Sequence, residues 1–167
     1  MKLRIGLSPK DVKKALAQAM EYQKQLNNKN ALFVERLAET GIPIIKGRMA
    51  ASRGDSNPAH STEIRIYANG DKVEGTLTLS GEDILFFEFG SGAYYNASDP
   101  PHASDFGYGV GTYPGQTHAF DSDGWWYRDE ANQLHHSYGT EATMPMLKAS
   151  EEIISNIRKI AREVYGS

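Results

Sequence analysis

The residues of this chain that could take part in metal or hydrolytic chemistry are five histidines and a run of acids between residues 81 and 130. His135 and His136 are adjacent, so in a strand they face opposite sides and cannot easily hold one ion together. No His-Glu-x-x-His pattern occurs, and His60, His102 and His118 do not stand at ligand spacing from one another. We therefore predict no catalytic residue and no metal site. A small metal-dependent hydrolase using Asp, Glu and His of residues 99–136 is the alternative.

The glycine-rich segment 107–111 is similar to a phosphate-binding loop only in its glycine content. It lacks the Lys-Ser/Thr pair that grips phosphate, and it lies among acids that would repel phosphate. The chain has no cysteine, which removes disulfides, thiolate metal ligands and a thiol nucleophile. We predict no cofactor.

Aromatic residues are concentrated in one part of the chain: twelve of the seventeen lie from Phe86 to Tyr127. Tyrosine and tryptophan supply large contact areas at low entropic cost, which favours a protein interface at Tyr94, Tyr95, Tyr108, Tyr113, Trp125 and Trp126. For Phe86, Phe89 and Trp125, packing on the sheet is the favoured interpretation. A carbohydrate-binding module that uses the aromatic loop is a further alternative. Specific nucleic-acid binding is disfavoured because this region lacks the lysines that neutralise phosphates.

Charge is separated along the chain, although the formal net charge is only -3. Residues 1–50 carry ten Lys/Arg and four Asp/Glu, a net of +6, whereas residues 81–130 carry nine Asp/Glu and one Arg, a net of -8. One region could therefore attract the other between copies. Residues 1–7 contain too few apolar residues for a signal peptide, and no stretch of the sequence is apolar over the length of a membrane span. We therefore expect cytoplasmic folding and no membrane partner.

The pattern of apolar residues predicts an α+β fold in a single domain over residues 1–167. Ser8-Pro9-Lys10-Asp11 is a helix start, and two helical stretches are expected over residues 8–50, broken or kinked near 27–30 and 41–43. A loop is expected at residues 52–58. Alternation around Asn69-Gly70 predicts a β-hairpin.

Further elements follow the hairpin. Residues 84–89 favour a short helix ended by Gly90, and residues 90–124 form a long glycine- and aromatic-rich insertion. A second hairpin is expected from residues 125–128 and 133–138. The terminal helix carries an apolar stripe of Met146, Ala149, Ile153, Ile157, Ile160 and Val164. The predicted architecture is a small antiparallel sheet packed by N-terminal helices and a long C-terminal helix.

Two short motifs resemble those of a known family. Glu88-Phe89-Gly90-Ser91-Gly92 resembles the Glu-Phe-Gly-Thr-Gly signature of the minor tail, or neck and tail-completion, proteins of long-tailed, lambda-like bacteriophages. Residues 139–146 resemble the Gly-x-x-Ala-x-Pro-Phe-Met element of the same family, with the proline slightly displaced. The order of helical region, loop, hairpin, signature, insertion and terminal helix is similar too.

The resemblance implies a structural protein of the virion, present in the host cytoplasm during assembly, and not an enzyme. It implies a subunit of the head–tail junction that joins copies of itself in a ring and binds neighbouring head-closure or tail proteins. Shape-determining roles are expected for Glu88, Phe89, Gly90, Gly92, Gly139 and Pro145. In particular, Gly90 and Gly92 permit tight bends, and Glu88 is expected to bind backbone N–H groups in the turn.

Overall fold

The computed structural model describes residues 8–51, 60–70, 72–81, 83–96, 100–109, 121–129 and 131–166. The elements in chain order are helix α1 (Pro9–Ala50), strands β1 (His60–Asn69) and β2 (Lys72–Gly81), helix α2 (Ile84–Phe89), a 3-10 turn (Ala103–Phe106), strands β3 (Trp125–Arg128) and β4 (Leu134–Ser137), and helix α3 (Pro145–Tyr165). The α+β class is confirmed. The loop predicted at residues 52–58 lies outside the described residues.

Helix α1 is continuous over 42 residues, about 63 Å, so the predicted division into two helical stretches was wrong. Its start is as predicted: Ser8 Oγ accepts a hydrogen bond from Asp11 N at 3.2 Å, and proline occupies the first turn. The asparagines remain within the helix, and Asn27 Nδ2 donates to Gly70 O at 3.0 Å. Pro43 also lies inside the helix, next to the fully buried Ile45. Tertiary packing of this face therefore overrides the local helix-breaking residues.

Gly41 is the point where three elements meet. A Cβ there would lie 2.8 Å from Leu77 Cδ2 of β2, and close to Ile153 Cδ1 and Ala149 Cβ of α3, at 3.2 and 3.3 Å. The missing side chain lets strand and helix approach α1 together. The glycine that suggested a helix break is thus a close-packing position.

The hairpin predicted around Asn69-Gly70 is confirmed as the antiparallel pair β1–β2, with Ile64 opposite Leu77 and Ala68 opposite Val73. A two-stranded sheet is marginal alone, and this one lies against α1. The contact is close at Gly75 of β2, where a Cβ would overlap Val34 Cγ1 of α1. The second predicted hairpin is confirmed as β3–β4.

The core lies where α1, α2 and α3 meet, around buried Ile45, Met49, Phe87 and Ala149. The apolar stripe of α3 therefore packs mainly on α1 rather than on a sheet. Towards the end of α3, Tyr165 hydroxyl donates to Asn30 Oδ1 at 2.7 Å, and its ring lies 5.6 Å from that of Phe33. No helix in the described part of the chain combines the length and apolarity needed to cross a membrane.

Residues 9–26 of α1 run on past the contacts at Asn27 and Asn30 for about 27 Å, and we call them the extension. Their apolar side chains at positions 12, 16 and 20 share one face, four residues apart. Leu16 is 60% exposed and Met20 63% exposed. Ala15 of the same segment is buried, whereas the three larger apolar side chains of this face are exposed.

Gly75→Ala should lower the free energy of unfolding by about 1–3 kcal/mol, because the new methyl overlaps a β-branched valine held in a helix. The matched control is Gly47→Ala, where a Cβ meets nothing within 4 Å. That change should raise stability by about 0.5–1 kcal/mol through helix propensity. Urea unfolding followed by circular dichroism measures both, and equal effects would contradict the packing argument.

Candidate protein-interface site

The two motifs singled out in the sequence meet in one place, which we call the corner: residues 87–92, Asn96 and residues 139–147. Helix α2 ends at Gly90, whose N–H donates to Phe86 O at 2.7 Å and whose φ is 76°. A Cβ at Gly90 would overlap the carboxamide of Asn96. Glycine is required here both for the left-handed backbone and for the space.

Asn96 holds the corner together from a buried position. Its Nδ2 donates to Gly92 O at 3.0 Å and to Thr140 O at 2.9 Å, while its Oδ1 accepts from Ala142 N at 3.0 Å. Ser91 and Thr140 add a reciprocal pair of backbone hydrogen bonds, both 2.9 Å. Asn96 was not among the predicted site residues, because its partners at 140 and 142 are more than forty residues away and leave no local pattern.

Glu88 caps helix α3 from outside that helix. Its Oε2 accepts from Met146 N at 2.8 Å and its Oε1 accepts from Leu147 N at 2.9 Å. These N–H groups belong to the first turn of α3, where backbone donors have no helical partner and a negative charge is favoured. The residue at the N-cap position of α3 is Met144, which has φ 52° and makes no side-chain cap hydrogen bond. Glu88 binds backbone N–H groups as expected, but those of α3 rather than of its own turn.

The remaining motif residues complete the corner. Phe87 O accepts from Thr143 N at 2.9 Å and from Met144 N at 3.1 Å. Gly139 lies so close to Ser91 that a Cβ would overlap the carbonyl oxygen of Ser91. Pro145 is fully buried in the first turn of α3, where its missing N–H leaves no unpaired donor. All six motif residues predicted to determine shape therefore lie in or directly beside this contact.

Three predicted interface or core aromatics pack on the corner. Phe89 is buried, with its ring centroid 4.9 Å from that of the half-buried Tyr108 and 5.3 Å from that of Phe106. Trp125 is half-buried against Gly92, where a Cβ would lie 3.0 Å from Trp125 Cζ3. Tyr108 and Trp125 thus act at least partly as packing residues.

Five ring side chains form a continuous row, which we call the aromatic ladder: Tyr95, Tyr94, Tyr138, His136 and Trp126. Successive ring centroids along it are 4.8, 4.8, 4.7 and 4.7 Å apart. Tyr94, Tyr138 and Trp126 are exposed, Trp126 by 64%. Tyr94, Tyr95 and Trp126 were predicted at an interface, whereas His136 of β4 and Tyr138, which directly follows β4, were missed. Tyr113 lies outside the described residues.

Two of the described histidines are each paired with one carboxylate. His135 Nε2 is 2.9 Å from Asp129 Oδ2, and His102 Nδ1 is 3.2 Å from Asp105 Oδ2. A hydrogen bond from Gln133 N at 2.8 Å, followed by the contact with His135, holds the pKa of Asp129 below its usual value. Within the described ranges, no three His, Asp or Glu side chains are placed to hold a metal ion.

An apolar cleft of about 420 Å³ opens beside the corner, between the end of β2, α2, the 3-10 turn and the start of α3. Its lining includes Leu79, Ile84, Leu85, Phe89, Phe106 and Met146. Among its polar side chains, the Glu88 carboxylate accepts hydrogen bonds from the first turn of α3, and His102 contacts Asp105. The cleft is therefore suited to binding apolar groups.

Comparison of the chain with protein-family models, with curated proteins and with solved structures gave no match. The family resemblance of the two motifs stays a prediction.

Glu88→Ala should lower the free energy of unfolding by about 1–3 kcal/mol, because two N–H groups of α3 lose their acceptor. Glu88→Gln should cost less, since its amide oxygen still accepts one bond. The control is Glu151→Ala on the same helix, an exposed partner of Lys148, with an expected change within about 0.5 kcal/mol. Thermal unfolding compares the three, and an equal loss for Glu88→Ala and Glu151→Ala would contradict the capping role.

The β3–β4 hairpin should loosen in acid because Asp129 has a lowered pKa in the folded chain. Its contribution is fully present above the usual carboxyl pKa of about 4 and is lost as the pH falls through the lowered folded value. Both tryptophans lie on β3, so tryptophan fluorescence reports on this hairpin. Asp129→Asn should show a smaller acid-dependent change than wild type, and an identical titration would exclude Asp129 as the cause.

Proposed function

We propose that this chain is a structural subunit of the head–tail junction of a long-tailed bacteriophage, and that it works by binding other protein subunits. The observation that carries the proposal is the corner. Its two motifs, at residues 88–92 and 139–146, each resemble a motif of one family and are about fifty residues apart in the chain. They are joined by the Ser91–Thr140 bridge, by Asn96 and by Glu88. Such a joint explains why both motifs would belong to one family fold.

The aromatic ladder supports a role in protein binding. Exposed Tyr and Trp rings that are already in contact with one another lose little further side-chain entropy when a partner covers them. The corner fixes their positions: Tyr94 and Tyr95 follow Gly92, and Tyr138 precedes Gly139. Neighbouring rings are inclined by 40–86°, so the ladder presents edges as well as faces. This mixed surface suits protein side chains better than the flat face of a sugar ring.

Disruption of the gene in the genome that carries it tests the proposal. The expected result is separate heads and tails in electron micrographs of lysates, with joined particles restored when the wild-type chain is supplied in trans. Portal, head-closure and tail-tube genes should adjoin the gene. Normally joined particles after disruption would overturn the proposal.

Trp126→Ala and Tyr94→Ala, supplied in the same complementation, should reduce joined particles. Removing an interface side chain that contributes about 2 kcal/mol to the binding free energy weakens the affinity for the partner by about 30-fold. Tyr67→Ala is the matched control, because Tyr67 is an exposed aromatic on β1 outside the ladder. Purified variants should unfold at the wild-type temperature. If the two ladder variants and the Tyr67→Ala control restore joined particles equally well, the ladder is not part of the interface.

A further inference from the structure

Two apolar surfaces of the described chain are open at opposite ends of the molecule. One is the stripe of the extension, formed by Val12, Leu16 and Met20. The other is the apolar cleft beside α2. A stripe with residues at four-residue spacing is the shape that a helix presents to a hydrophobic groove. The cleft volume of about 420 Å³ lies within the range of about 300–1,000 Å³ found for binding pockets.

The extension cannot fill the cleft of its own molecule. The cleft is lined by Met146 and Phe89, near the core residue Ile45 in the carboxyl-terminal half of α1. Leu16 is 29 positions before Ile45 on one continuous helix, about 44 Å along its axis. If the stripe enters such a cleft, that cleft belongs to another copy.

The charges around the two surfaces are complementary. The extension carries Lys10, Lys13, Lys14 and Lys24, opposed by Asp11 and Glu21. Acids adjoin the cleft residues in the sequence: Asp83 precedes Ile84, Asp105 precedes Phe106 and contacts His102, and Glu151 follows Ser150 and contacts Lys148. A basic helix is therefore attracted to an acidic rim, and this attraction also orients the approach of the two copies.

We propose that the extension of one copy docks its apolar stripe into the apolar cleft of a second copy. This inference rests on the proposed function and names the contact between copies. The contact is heterologous, because it joins two different patches. An open chain of subunits has one free extension at one end and one free cleft at the other, so the contact leads to a ring or an open chain and not to a closed two-fold dimer.

Complementary variants test the contact. Leu16→Asp places a charge in the apolar stripe, and Leu85→Asp places a charge in the lining of the cleft. These side chains are 60% and 49% exposed, so both variants should fold. Sedimentation should show each variant alone as a monomer, with self-association weakened about 100-fold or more relative to wild type. An equimolar mixture should form heterodimers, since one intact stripe and one intact cleft remain. If Leu16→Asp does not melt cooperatively, Met20→Asp replaces it in the stripe. If Leu85→Asp does not melt cooperatively, Phe106→Ala replaces it in the cleft.

The control is Leu134→Asp, at a side chain of β4 that is 54% exposed and belongs to neither surface. It should assemble as wild type does. Salt should weaken wild-type association by screening the lysines from the acidic rim. A mixture that stays monomeric, a Leu16→Asp variant that still assembles, or a wild-type chain that is monomeric at low salt would overturn the proposal.

The gene-disruption assay separates this inference from the proposed function. If Leu16→Asp assembles normally and restores joined particles, the extension–cleft contact is wrong while the junction role stands. If the wild-type chain is dispensable for joining, the junction role itself is wrong, whatever the sedimentation shows.

Discussion

The bidentate contact between Glu88 and the first turn of α3 is the interaction on which the rest of the described structure depends. Helix α3 starts after Met144, a non-glycine residue with φ 52°, and it has no side-chain cap of its own. Left-handed backbone at such a residue costs of the order of 1–3 kcal/mol. The carboxylate offsets this cost by accepting the N–H groups of Met146 and Leu147 next to the positive end of the helix dipole. A residue of α2 therefore determines where α3 begins.

The contact between Glu88 and α3 is supported by a network of hydrogen bonds around Asn96. Asn96 is buried and binds Gly92, Thr140 and Ala142, so both ends of its carboxamide are satisfied. Removing one partner would leave a buried polar group unpaired, which costs more than the net gain of the bond. Such networks specify one arrangement of the chain. Here the arrangement holds α2 against α3 and sets the direction in which the residues of the aromatic ladder leave the core.

Local chemistry was enough to predict several elements. Asn69-Gly70 between alternating strands predicted the first hairpin, and the apolar spacing from Met146 to Val164 predicted α3, because each signal is contained within a few neighbouring residues. Gly90 was predicted to end α2 and does so.

Interactions between distant residues were not predictable in this way. Gly41 and Pro43 suggested a break in α1, but packing of Leu77, Ala149 and Ile153 around Gly41 keeps the helix whole. Asn96 and the target of Glu88 depend on contacts that span more than forty residues. Of the predicted aromatic site, Tyr94, Tyr95 and Trp126 lie together, while Tyr108 packs against Phe89. Contacts of this kind leave no periodic trace in the chain.

The unbroken α1 also makes the molecule a lever. The carboxyl-terminal part of α1 is held by the β1–β2 hairpin and α3 as far as Asn27, and Leu16 lies about 17 Å beyond Asn27 along the same helix. A tilt of about 10° at Asn27 would displace Leu16 by about 3 Å. A small change in packing at Asn27 would therefore be magnified into a different reach at the tip, far from any altered residue.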